Sequence, residues 1–157
     1  MPIESTPRLH GADEPVRLAR DWIGTPYHHQ ASLKGVGTDC LGLIRGIWRE
    51  LYSDDAELPP AYSRDWGEAN GEETLLAAAR RHLREIPIAG AEAGDVVIFR
   101  IRPGSIAKHA GLIATGNAVS SATMIHAMEG SLTAEVNLTS WWRRRIAAAF
   151  AFPGTRR

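Results

Sequence analysis

The sequence predicts an α+β chain in which helices come first and pack on a C-terminal antiparallel sheet of about five strands. Three observations carry this. Before Pro87, apolar residues recur at helical spacing; beyond it, short runs rich in β-branched and aromatic residues are separated by Gly, Pro, Asn and Ser. The 157 residues, 44% of them hydrophobic, suffice for one packed core and are too few for two comfortable ones. A single domain over residues 1–157 is expected, with its core at about 13–152.

Residues 13–23 open with acidic side chains, place Pro15 in the first turn and carry Val16, Leu18, Ala19, Trp22 and Ile23, which is a helix signature. Gly24, Thr25 and Pro26 stop it, and residues 27–39 read as a loop. A second helix runs from Cys40 to about Tyr52, capped by Thr38 or Asp39, with Leu43, Ile44, Ile47, Trp48 and Leu51 on one face. Gly42 and Gly46 lower its propensity but let it lie close against a neighbour. Residues 54–71 are expected as an irregular surface excursion, and residues 72–84 as a third helix. Strands are expected at 95–101, 108–115, 123–128, 134–138 and 145–152. Trp141 and Trp142 would begin the last strand, one ring in the core and one at the rim, with Arg143, Arg144 and Arg145 along a solvated strand edge.

Composition narrows the function. Eighteen basic and eighteen acidic residues give a net charge of zero, so there is no general attraction to nucleic acid or anionic membrane. No apolar run approaches a membrane span, and Met-Pro-Ile-Glu-Ser-Thr-Pro lacks the blocks of a signal peptide, so the expectation is a protein made in the cytoplasm without membrane insertion. The lone Cys40 must carry a free thiol. A metal site from Cys40, His28, His29 and His109 is not expected, because adjacent histidines seldom face one ion and there is no Cys-x-x-Cys pair. No cofactor is expected.

The chemistry centres on Cys40, at the junction of a glycine-rich turn and the second helix. A helix start favours the thiolate through its dipole and its unpaired N–H groups; the competing role is a small buried hydrophobe. A cysteine nucleophile needs a base, usually histidine, and that base needs a polar partner to fix its tautomer. Of six histidines, His10 and His82 read as surface residues. His109 begins a strand immediately after a loop, and His126 lies in the following strand. A hairpin of those two strands would bring the imidazoles together, and a helix-borne thiol with two strand-borne histidines is a papain-like arrangement.

Gly24-Thr25-Pro26-Tyr27, Asp39-Cys40-Leu41-Gly42-Leu43, Gly94-Asp95-Val96-Val97-Ile98-Phe99, His109-Ala110-Gly111-Leu112-Ile113 and Ile125-His126-Ala127 occur in that order, and the run resembles the NlpC-type papain-like cell-wall cysteine peptidases. Leu41, the following Arg-Gly-Ile-Trp-Arg-Glu-Leu and the terminal Ala-Phe-Ala-Phe-Pro-Gly resemble the branch associated with phage tails and gene-transfer particles. The resemblance implies the papain-like fold and hydrolysis of peptidoglycan at a stem-peptide or sugar-peptide amide bond. It implies Cys40 as nucleophile, His109 as general base and later acid, and His126 as the residue that orients His109. Tyr27 matches a tyrosine that helps hold the oxyanion or substrate, although an aromatic covering the helix end is an equal alternative. Asp39 matches the acidic residue that meets the free amine of the stem peptide; capping the helix is a competing or additional role. The implied partners are peptidoglycan and phage-like tail proteins, in a particle that opens the periplasmic cell wall during DNA delivery. Many relatives have serine where this chain has Leu41. That departure and the long spacing between His109 and His126 support an alternative, an inactive structural tail component that keeps the fold.

Overall fold

A computed structural model describes residues 10–55 and 73–156. In chain order these form β1 (His10–Gly11), α1 (Glu14–Arg20), β2 (Ser32–Leu33), β3 (Gly37–Thr38), α2 (Cys40–Tyr52), α3 (Thr74–His82), β4 (Arg84–Ile86), a 3-10 turn (Ile88–Gly90), β5 (Val96–Phe99), β6 (His109–Gly116), β7 (Ala122–His126), β8 (Ala134–Asn137), α4 (Ser140–Arg143), β9 (Ile146–Ala151) and β10 (Thr155–Arg156). Six strands form one antiparallel sheet in the order β4-β9-β5-β6-β7-β8. The architecture is thus the expected α+β, with one more strand than the sequence suggests. The added strand is β4, whose Arg-Glu-Ile is too short and polar to announce itself and is paired along β9.

Strand alternation divides the core. Val96, Ile98, Ala110, Leu112, Ala114, Ala148 and Phe150 face α1, α2 and α3, meeting Val16, Ala19, Trp22, Leu43, Ile47, Leu51, Leu75, Leu76 and Ala79. Val97, Phe99, Ile113, Met124 and Ala149 face the other way, under Ala91, Leu138 and the half-buried Trp142. All four residues of β5 are buried, because the strand is covered on both faces.

The helix carrying Cys40 is set by its neighbours. A Cβ at Gly46 would lie 2.0 Å from the Trp22 ring, and one at Gly42 would lie 1.9 Å from the Ala31 carbonyl oxygen, so both glycines are contact points. The helix stops at Ser53, which takes a left-handed conformation at φ 65°.

Four local expectations are corrected. The 27–39 segment is not all loop, since β2 and β3 form a small antiparallel hairpin within it. Trp141 and Trp142 lie in the short helix α4 and not at the start of a strand. His10 is buried rather than exposed: β1 pairs with β10, and the His10 ring lies against Tyr52 and the Pro153 carbonyl. His82 is half-buried with its ring 5.9 Å from that of Trp48. Apart from Asp54 and Asp55, the expected 54–71 excursion lies outside the described residues.

Candidate active site

The first turn of α2 is held by Asp39. Its Oδ1 accepts from the Gly42 N–H at 2.7 Å and its Oδ2 from the Gln30 N–H at 2.8 Å, so one buried carboxylate both caps the helix and ties down the preceding loop. Thr38 makes a different bond, its hydroxyl donating to the Asp39 carbonyl oxygen. Asp39 is the cap, as one of the two sequence readings has it.

Cys40 follows directly and is buried, with 8% of its surface exposed. Its thiol donates to the Lys108 carbonyl oxygen at 3.6 Å, one residue before His109. The sulfur therefore lies against the start of β6, on the backbone of the residue before His109. Burial above all, and the Asp39 carboxylate after it, push the thiol up to about 12 against the opposing pull of the Ala110, Leu41 and Cys40 amides. In the resting protein the group is a thiol, not the thiolate that the helix start alone suggests.

His109 and His126 are brought together. His109 Nε2 and His126 Nδ1 are 2.8 Å apart, with ring centroids separated by 5.1 Å. The register of β6 on β7, Leu112 opposite Ile125 and Ile113 opposite Met124, aims both histidines at the same face. Burial, and secondarily the neighbouring His126, holds the His109 imidazole down to about 3; burial also lowers His126. Both rings are neutral at pH 7, so one proton lies between the facing nitrogens. If His109 is to accept a proton on Nδ1, its Nε2–H must donate to His126, which fixes His126 with its own proton on Nε2.

Trp142 covers the pair, and sequence reasoning missed it. Its ring stacks on His109 at 5.4 Å and 29°, meets His126 edge-on at 5.3 Å and Phe99 edge-on at 4.9 Å. Arg143 anchors this turn through the Leu138 and Ala118 carbonyl oxygens. The Trp-Trp dipeptide was the available signal, but its partners are far away in sequence.

Tyr27 is half-buried and bridged to Thr38, with its N–H donating to the Ser131 carbonyl oxygen at 3.2 Å, which places it in the loop before the helix start. His28 is exposed and His29 half-buried. Among the described residues, no group of three His, Cys, Asp or Glu side chains is placed to hold a metal ion.

A thiol, an imidazole pair and a capped helix start thus lie at one end of the sheet, and comparison with known proteins places the fold. The model of the NlpC/P60 family matches residues 24–150. The chain belongs to the NlpC/P60 family. The NlpC/p60 domain of the peptidoglycan hydrolase SagA is similar in structure, with a TM-score of 0.59 at 21% identity over 90% of this chain and 98% of that one. An NlpC/P60 protein of Bacillus cereus gives 0.61 at 19% identity over 95% of this chain and 41% of that one. A lipoprotein-like NLP/P60 protein of Staphylococcus aureus gives 0.57 at 20% identity over 95% and 44%. The chain thus spans less than half the length of the last two. At these identities the likeness is one of fold, the NlpC/P60 papain-like fold. Comparison with curated proteins finds no match.

Proposed function

We propose that this NlpC/P60 chain is a cysteine hydrolase that cleaves a stem-peptide or sugar-peptide amide bond of peptidoglycan. The observation that carries the reading is the 2.8 Å bond between His109 Nε2 and His126 Nδ1, beside a capped helix start whose Cys40 thiol touches the backbone flanking His109. Cys40 is the nucleophile. His109 Nδ1 takes the thiol proton as sulfur attacks the carbonyl carbon, and His126 Nδ1 accepts from the Nε2–H throughout, holding the ring and stabilising the imidazolium. The imidazolium returns its proton to the leaving amine, giving a thioester, and water then attacks with His109 again as base. The Cys40 N–H is placed at the helix start to donate to the oxyanion, a contribution of about 3 kcal/mol to the barrier when well aimed. Tyr27, in the loop before the helix start, is the residue proposed to help hold the oxyanion or substrate, and Asp39 fixes the helix start, both its oxygens engaged by backbone amides.

The cellular reading is delivery by a phage-like tail, in which the chain acts on the periplasmic wall while bound to tail proteins. It rests on the motif resemblance around Leu41 and at the C-terminal Ala-Phe-Ala-Phe-Pro-Gly. Co-sedimentation of the chain with tail particles tests it; a chain found only free would count against it.

A second reading, an inactive structural component, is favoured by one observation, the buried thiol raised to about 12 and bonded to a carbonyl oxygen. Turbidity of a purified peptidoglycan suspension separates the two. The enzyme reading expects clearing by the wild type and none by a folded Cys40→Ala variant; a suspension unchanged by the wild type would favour the structural reading.

A further inference from the structure

Most arginines with ion pairs in this structure have a clear carboxylate partner: Arg20 has Glu135, Arg45 and Arg49 share Asp55, Arg80 has Glu85 and Arg100 has Glu73. Arg84, Arg102 and Arg143 have none among the described residues, and neither do Arg144 and Arg145. The last two line a concavity of about 360 Å³ together with Arg100, Ile101, Pro103, Ile146 and Ala147. We infer that this concavity is a binding subsite for a carboxylate-bearing residue of a wall peptide, held by Arg144 and Arg145.

The site is built in advance. Arg145 Nε donates to the Ile101 carbonyl oxygen at 3.3 Å and its Nη1 to that of Trp141 at 2.7 Å, while the guanidinium carbon lies 3.7 Å over the Trp141 ring. Backbone carbonyls orient this cation without neutralising it, and the remaining N–H groups are left for an oxyanion. Arg100 is fixed by the Ser105 carbonyl oxygen and by Glu73, which cancels its charge. Arg144 is exposed at the mouth. Two uncompensated positive charges therefore face a hollow in a chain whose net charge is zero. The walls decide the class of anion. Ile101, Pro103, Ile146 and Ala147 are aliphatic, which suits the carbon skeleton of an amino acid and offers little to a bare phosphate.

The location ties the hollow to the proposed chemistry. Phe99, opposite His109 in the sheet, leads directly into Arg100, and the Arg100 N–H donates to the Arg145 carbonyl oxygen at 2.8 Å. The subsite thus lies at the strand ends that carry His109, displaced by β5 toward β9. A peptide crossing the site would place an acidic group there, on the β9 side of the bond being cut. This use of the hollow rests on the hydrolase reading, but the binding claim does not.

The test uses two synthetic wall peptides that differ only in a free carboxylate against its carboxamide, titrated into the full chain carrying Cys40→Ala so that neither is consumed. The free acid is expected to bind about tenfold more tightly, as a charged hydrogen-bonded pair would give. Adding Arg144→Gln, an exposed change that leaves the fold intact, is expected to remove at least about a third of that advantage on a logarithmic scale. Equal affinity for the two peptides, or an advantage unchanged by Arg144→Gln, overturns the inference. Cleavage by the chain with native Cys40 is read separately: discrimination without cleavage keeps the subsite and removes the hydrolase reading, and cleavage of both peptides with equal KM does the reverse.

Discussion

At the scale of single residues, the site is a thiol and two imidazoles kept neutral by burial. On the proposed mechanism His126 acts through His109, so its removal should lower kcat and leave KM nearly unchanged. His126→Ala is expected to reduce kcat by about 10²-fold, and His126→Asn, whose amide oxygen can accept from the His109 Nε2–H, to recover part of it. Steady-state kinetics on a soluble muropeptide check this, and equal losses in both variants would argue against the orienting bond. Trp142 packs over the same pair. Trp142→Ala should cost about 2 kcal/mol or more of stability and let the His109 pKa rise toward its ordinary value. The acid limb of the pH–rate profile should then move to higher pH, which a purely structural role for the indole would not produce. The seating of Cys40 at a capped helix start and the meeting of His109 with His126 were legible in the sequence, because each residue sits in a strong local pattern, a helix start or the end of a strand. Trp142 and His10 were not, because what buries them comes from distant parts of the chain: β6 and β7 for one, the Pro153 turn for the other.

At the scale of elements, α2 is the mount for the sulfur, and its position depends on contacts that tolerate no added atoms. Gly46→Ala would drive a methyl into the buried Trp22 ring and should lower stability by about 1–3 kcal/mol. Gly42→Ala meets the Ala31 backbone, which cannot rotate away, so the larger loss is expected there. Thermal melts of the two variants give the ranking, and a Gly42→Ala protein as stable as wild type would contradict the close seating of the loop. Asp39→Ala removes the cap and strands two amides, at a cost of about 2 kcal/mol. The ends of α2 could be read from Asp39 and the apolar spacing that follows, and the strands from their β-branched runs. The β2–β3 hairpin, β4 and α4 escaped because two to four residues carry no periodicity and are defined by pairing alone.

At the scale of the whole molecule, folding brings a helix from the first third of the chain against strands from the last third, and the histidine pair makes that assembly acid-sensitive. A histidine held down to about 3 binds its proton in the unfolded chain near pH 6.5 but not in the folded one. Its contribution to stability is therefore full above about pH 6.5 and is lost as pH falls toward 3, with His126 adding in the same direction. Chemical denaturation at pH 7 and pH 5 should show the drop, and His109→Gln should flatten it. The α+β order and the helix-to-sheet packing were visible in the switch of periodicity near Pro87, whereas the six-strand order with β9 between β4 and β5 was not, since strand order is a long-range property. The coupling of the two halves at the site is tested most directly by the rate at which iodoacetamide alkylates Cys40 at pH 7, compared between the wild type and a folded His109→Ala variant. With His109 as the base for the thiol, alkylation should slow by about 10²-fold on its removal; equal rates would show that the imidazole does not serve the sulfur, and would contradict the mechanism.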